Sequence, residues 1–185
     1  MNIIPDEDSF GESKESNSTT SFSLQDFKIL ICNIRSIAGK VAELMQIVND
    51  ESIQCIFLQE TWLDASIQSF QLPNFVCLAR KDRADGPNRG GVAIFVRSDI
   101  ANMTFLQHGS AGETSWLLLH RDAGTIALCN CYFPPTYRPE DFHLFSNDID
   151  KMHDKADYFF ISGDFNVHSK AWLHFPQTTL RKETP

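Results

Sequence analysis

Several features that would place this 185-residue chain in a special class are missing. No apolar run approaches the roughly 20 residues needed to span a bilayer. The opening stretch, MNIIPDEDSF, has neither a basic patch nor an apolar core, which argues against a secretory leader. The chain therefore reads as soluble and intracellular, nucleus or cytoplasm undecided, not secreted and without a membrane partner. The five cysteines (Cys32, Cys55, Cys77, Cys129, Cys131) are odd in number and show no CxxC spacing. Each lies in an apolar run, so they read as buried reduced thiols packed as small hydrophobes, not as a zinc site. There is no excess of base either: 24 acids against 16 Lys and Arg leave a net charge of −8. Residues 1–26 hold six of the acids and only Lys14 among the bases, so that segment carries −5 and the other 159 residues −3. Nonspecific nucleic-acid binding depends on neutralising phosphates, so this balance disfavours a simple charge-driven DNA-binding module. It leaves open an enzyme whose site is built from acidic metal ligands.

What is present fits a globular domain. Apolar residues make up 42%, charged 22% and aromatic 11% of the chain, near the usual averages. Fifteen Phe against three Tyr predict an aromatic core, and a chain of this length buries about 70% of its unfolded surface without disulfide help. Residues 1–25, rich in Ser, Thr, Asp and Glu and lacking any apolar period, read as a disordered acidic tail. Residues 26–185 read as one domain, with order beginning near Phe27. FKILIC is short and apolar on both faces, which predicts a strand covered on both sides. Val41, Leu44, Met45 and Val48 follow the i, i+3, i+4, i+7 pattern, predicting an amphipathic helix over residues 39–50. IQCIFL (53–58) is a second buried strand.

A β–α–β opening raises the possibility of a dinucleotide-binding fold. The turn after the first strand, CNIRSIAGK, lacks the glycine spacing that lets a backbone approach a pyrophosphate. Residues 75–131 then offer FVCLA, GVAIFVR, MTFLQ, SWLLLH and TIALCNCYF, separated by short turns and with no convincing helix. That is the pattern of antiparallel sheet with helices packed outside, an α/β sandwich. Pro139, Glu140 and Asp141 make a good first turn of a second helix, whose Phe142, Phe145, Ile149 and Met152 form a core-facing stripe. YFFIS (158–162) reads as another buried strand, ending in Gly163-Asp164-Phe165-Asn166.

Polar residues interrupt these strands at telling places. Asn33 follows FKILIC, Glu60 follows IQCIFLQ, Tyr132 follows ALCNC, and Asp164 and Asn166 follow YFFISG. Singly, each has an ordinary reading as a turn former, a helix cap or a solvated acid. If the strands run the same way, however, all five groups meet on one rim. Converging carboxylate and amide oxygens suit a hard divalent cation, which stabilises charge on a phosphoryl oxygen or leaving group.

The segments ILICNIRSI, IFLQETWLD, RGGVAIFVR, CNCYFPP and ISGDFNVHSKAW together resemble the endonuclease/exonuclease/phosphatase superfamily, and within it the apurinic-type endonuclease domain of non-LTR retrotransposons. The resemblance runs from about Phe27 to Trp172. QET and GDFN are specific when found together, and GGVAIFVR with the HxxxW after GDFN points to the retrotransposon branch. Inositol phosphatases of the superfamily usually read GDxNYR, which Val167-His168 does not match. The resemblance implies a four-layer α/β sandwich with two mainly antiparallel sheets, incomplete at the C-terminus. It implies Mg²⁺ or Mn²⁺ as cofactor, with Glu60 as the main ligand and Asn33 beside it. Asp164 would orient or deprotonate the attacking water, Asn166 would support it, and Tyr132 would contact the scissile phosphate. The substrate would be DNA, cut by in-line hydrolysis to leave a 3′-hydroxyl, and the protein would be a monomer.

Arg35, Arg83, Arg89 and Arg97 are candidate phosphate contacts; Arg35 and Arg89, with His168, form the nucleic-acid-binding set, each with a solvated or packing role as the ordinary alternative. Trp172 reads as core. Family members carry further strands after GDFN and a terminal Asp–His motif, whereas LHFPQTTLRKETP has none, so the expectation is a truncated chain with weak or no activity. Two further readings stand beside the endonuclease: a non-catalytic remnant acting as a binding module, and a phosphatase of the same superfamily.

Overall fold

The computed structural model describes residues 27–83, 89–101, 104–109, 112–121 and 123–166. The expected tail over residues 1–25, together with His168 and Trp172, lies outside them. The described elements are β1 (Ile29–Asn33), α1 (Val41–Asp50), β2 (Cys55–Gln59), β3 (Phe75–Lys81), β4 (Val92–Arg97), β5 (Thr104–His108), β6 (Glu113–Arg121), β7 (Gly124–Tyr132), α2 (Pro139–His153) and β8 (Tyr158–Asp164). They form two four-stranded sheets, ordered β1-β2-β4-β3 and β5-β6-β7-β8. Each sheet holds one parallel pair, β1 with β2 and β7 with β8, and its other pairs are antiparallel. The helix between the strands of each parallel pair is the crossover that parallel pairing requires.

Three apolar layers separate four structural ones, and strand alternation explains them. In β2, Ile56 and Leu58 pack with Leu44 and Val48 of α1 on the outer face of the first sheet. Cys55 and Phe57, on the opposite face, meet Leu117, Leu119 and Leu128 of the second sheet. Trp116, Leu118, Ala127, Cys129 and Cys131 point away from that interface and pack with Phe145 and Met152 of α2. Strands covered on both faces need apolar residues at every position, which is why CIFL and VAIFV show no alternation. The helices need only one stripe. In α2, the Asp141 carboxylate accepts the Arg138 N–H at 2.9 Å, satisfying a donor that a helix start leaves open. Cys129 and Cys131 share one face as expected, and all five thiols are free, Cys32 and Cys77 being only half-buried.

Three expectations need correction. YFFIS is not buried: Tyr158 is 58% and Phe160 39% exposed. Strand β8 pairs with β7 alone, so its flank is open among the described residues. Strand β1 is likewise an edge. Leu30 and Cys32 pack under α1 and Phe27 and Ile29 against the inter-sheet core, but Ile31 on that second face is 40% exposed, so the second covering stops short of the strand's end. Phe142 sits at the margin of its stripe, exposed along one side while stacking on Phe133 with ring centroids 4.9 Å apart. No helix among the described residues is long and apolar enough to cross a membrane.

Phe57 is fully buried between the sheets, so Phe57→Ala is expected to cost about 3–5 kcal/mol of stability in urea denaturation. Ile31→Ala, at the open edge, is expected to cost less than about 1 kcal/mol.

Candidate active site

The parallel pairs bring the polar strand ends together. Because β1 runs parallel to β2, Asn33 pairs with Gln59 at their common end, and Glu60 is the next residue. Because β7 runs parallel to β8, Tyr132 pairs with Asp164. The two rims face each other across the sandwich, and one amide joins them. Asn33 Nδ2 donates to Glu60 Oε1 at 2.9 Å and to Asp164 Oδ2 at 2.8 Å. The Tyr132 hydroxyl donates to the same Glu60 oxygen at 2.9 Å. The backbone N–H of Asn166 donates to Asp164 Oδ1 at 3.1 Å. Asn33, Glu60, Tyr132 and Asp164 thus form one hydrogen-bonded cluster, with Asn166 attached through its main chain.

The backbone around this cluster is held in unusual conformations. Arg35 (φ 45°), Ser36 (76°), Glu60 (52°), Trp62 (55°) and Asn166 (45°) all have left-handed backbone without being glycine. Each such residue costs free energy that the surroundings must impose. Here the turn after β1 does so: Ser36 N donates to Glu60 O at 2.8 Å and Ile37 N to Thr61 O at 3.0 Å. On the other side, Trp62 N donates to Gly90 O at 2.9 Å. Glu60 is therefore presented by backbone bonds from two flanking turns. Gly163 has a different constraint, because a Cβ there would stand 1.8 Å from the Cys131 carbonyl oxygen. Only glycine lets β8 run this close to β7 just before Asp164.

Charge follows from this geometry. Burial, the largest single influence on the Glu60 carboxyl, raises it, but hydrogen bonds from Asn33 and Tyr132 and the nearby Arg35 together hold it below the ordinary value. Glu60 is ionised at neutral pH. Tyr132 moves the other way: burial, and then the bond to Glu60, push its phenol up to about 12. It is therefore a neutral donor throughout the physiological range. One atom of the cluster is left over, since Asn33 Oδ1 is buried with no hydrogen-bond partner. Both carboxylates lie on the Nδ2 side, which fixes that amide's orientation. A buried acceptor without a donor is costly, and an ordered water or a cation satisfies such an oxygen. No group of three or more His, Cys, Asp or Glu among the described residues is placed to hold a metal. A magnesium-type ion needs only one or two carboxylates beside water and phosphate, and the donor set Glu60 plus Asn33 Oδ1 fits that requirement.

Arg35 is exposed on the turn beside Glu60, and Arg89 is exposed directly before Gly90 on the same side. Arg97 is elsewhere. Strand β4 runs antiparallel to β2, so Val92 pairs with Gln59 and Arg97 lies at the opposite end, where it bonds Asp99 at 2.7 Å. His168 is outside the described residues. Two residues with no assigned role in the sequence lie beneath the cluster. Gln59 Nε2 donates to Asn130 Oδ1 at 2.5 Å, while Asn130 Nδ2 donates to the carbonyls of Leu58 and Ala93, each at 3.0 Å. Both amides are buried and tie β2 and β4 to β7 across the sandwich. Their signal was an uncharged polar residue inside an otherwise apolar strand.

Two outcomes are expected. Asn130→Leu takes the best acceptor from the buried Gln59 amide and a second donor from two strand carbonyls, and should cost about 1–3 kcal/mol in urea denaturation. Because the Tyr132 phenol is raised in the fold, the neutral form is favoured there, and its contribution is present below pH 10 and lost between about 10 and about 12. The phenolate absorbance near alkaline pH, compared between wild type and Tyr132→Phe, should show that step at about 12.

Comparison with known proteins is consistent with this geometry. A search of curated protein sequences found no match. Among solved structures, the chain is similar to the endonuclease domain of TRAS1, a telomere-specific non-LTR retrotransposon, with a TM-score of 0.58, 19% identity, and coverage of 79% of this chain and 62% of that one. It is also similar to the APE2 catalytic domain of Xenopus laevis, with a TM-score of 0.63, 18% identity, and coverage of 83% and 63%. A third is the 3′ phosphatase NExo from Neisseria bound to product DNA hairpin, with a TM-score of 0.54, 16% identity, and coverage of 76% and 58%. The chain thus spans less than two thirds of the length of each, and at these identities the likeness is one of fold, a mixed α/β arrangement of two multi-stranded sheets. The family model for the Endonuclease/Exonuclease/phosphatase family matches residues 30–184, and the chain belongs to that family.

Proposed function

We propose that this chain is a divalent-metal-dependent phosphodiesterase that nicks DNA as an endonuclease. The observation that carries the reading is the buried, partnerless Asn33 Oδ1 beside an ionised Glu60, on the same amide that holds Asp164. DNA as substrate is supported by the DNA product held by the Neisseria phosphatase of the same fold and by the retrotransposon endonuclease.

Glu60 and Asn33 Oδ1 would hold Mg²⁺ or Mn²⁺, and such an ion neutralises charge at a phosphoryl oxygen. The other residues act on water and phosphate. Each Asp164 oxygen already accepts one hydrogen bond, from Asn33 or from the Asn166 N–H. A carboxylate oxygen retains a second lone pair, and that lone pair orients the attacking water and takes its proton. The Asn166 side chain supports the phosphate beside it. Tyr132, neutral and anchored on Glu60, contacts the scissile phosphate. Arg35 and Arg89 contact neighbouring phosphates, with His168 as a further contact. Local arginines carry this task because the chain as a whole, at −8, does not attract DNA.

Incubation of supercoiled plasmid with the purified chain tests the reading. Relaxed circles should form with Mg²⁺ and not with EDTA, and Asp164→Asn should slow their formation by about 10²–10⁴-fold. Glu60→Gln should raise the Mg²⁺ concentration needed for half-maximal rate. DNA binding without nicking would instead mark a binding module, and release of phosphate from inositol phosphates without nicking would mark a phosphatase. Nicking that survives in Asp164→Asn would come from a contaminant.

A further inference from the structure

The RGGV segment ahead of β4 is built around one arginine. Gly90 and Gly91 both take left-handed backbone, with φ of +83° and +84°. A Cβ on Gly90 would stand 2.6 Å from Cζ and Nε of Arg83, so the space left by the missing side chain is where the guanidinium lies. Gly91 gives its N–H to Glu113 Oε2 at 2.5 Å. The other oxygen of Glu113 accepts Arg83 Nε at 2.6 Å. Arg83 Nη2 lies 2.5 Å from that oxygen, but its N–H bonds are aimed elsewhere, so it makes an ionic contact and no hydrogen bond. Glu113 is only 5% exposed, and its own N–H donates to the Tyr137 hydroxyl at 2.8 Å.

A solvated surface pair needs none of this. Desolvating an ion pair is expensive and often brings no net stability, yet here a buried carboxylate pairs with the guanidinium and the left-handed Gly90 leaves it space. Its position gives the reason. Cζ lies 5.7 Å from the centre of the Tyr132 ring, and the Tyr132 hydroxyl bonds Glu60. Only Nε donates to Glu113, so the Nη2 hydrogens are left without an acceptor, and 24% of the side chain stays open to solvent. A planar guanidinium serves two oxyanions at once, one on each edge, which an ammonium on a flexible stem cannot do.

We propose that Arg83 is a further catalytic residue of this site, clamped on one edge by Glu113 and donating from the other to a non-bridging oxygen of the phosphodiester held against Tyr132. This rests on the phosphodiesterase reading above and adds a residue to it. A donor fixed in advance where charge develops is worth about 10²–10³-fold in rate.

The test is single-turnover nicking by the full chain in Mg²⁺, for wild type, Arg83→Ala and Arg83→Lys, with thermal melting to confirm folding. Arg83→Ala should lose about 100-fold in rate. Arg83→Lys preserves the charge beside Glu113, and so the fold, yet should recover no more than about a tenth of the wild-type rate, since it cannot serve both oxyanions. Free guanidinium at millimolar concentration should restore part of the Arg83→Ala activity and none of the Asp164→Asn activity. A wild-type rate in Arg83→Lys, or a folded Arg83→Ala that guanidinium fails to restore, overturns the assignment while leaving the phosphodiesterase reading intact. If the wild type itself does not nick, that reading falls and Arg83 with it.

Discussion

Two carboxylates that repel each other, Glu60 on one sheet and Asp164 on the other, are held to a single amide nitrogen. Everything around the site follows from keeping Asn33 Nδ2 within reach of both. The parallel pairing of β1 with β2 and of β7 with β8 puts the three residues on one rim. The Gln59–Asn130 bridge below sets the distance between the sheets at that rim. Cost is concentrated there too, in a run of non-glycine residues with left-handed backbone and in an amide oxygen left without a donor.

Much of the architecture was legible in the residues because burial on two faces leaves a simple signature. CIFL and VAIFV are apolar at every position, and the helices show one stripe, so element types and approximate bounds could be read directly. The rim could be read as well, since Asn33, Glu60, Tyr132 and Asp164 are polar residues at the ends of such runs. That they touch could not be read, because direction and pairing are properties of the whole sheet. Arg83 and Arg97 show the difficulty clearly. Both are arginines at the end of a strand, but β3 and β4 run antiparallel, so the end of β3 before Arg83 lies beside Val92 and Arg97 lies at the far end beside Phe75, which leaves Arg83 by Tyr132.

The edges failed for a related reason. YFFIS and FKILIC are as apolar as the central strands, and composition does not say whether a neighbour lies alongside. Only the sheet order shows that β1 and β8 each have one partner among the described residues. The Gln59–Asn130 bridge was hidden in the opposite way. An amide inside an apolar strand signals that a buried partner exists, and nothing in the local sequence says that the partner lies 71 residues away.

That separation is exceeded by the bond at the rim, where Asn33 and Asp164 stand 131 residues apart. Contacts between distant parts of a chain form late, because the loop they close costs entropy before the contact returns any. The described strands of the first sheet end at Arg97 and pair only with one another, and the second sheet covers their inner face. Glu60 and Asp164 meet only where both sheets are in place, and a change that loosens β8 from β7 takes Asp164 away from Asn33 while leaving the strand before Glu60 paired.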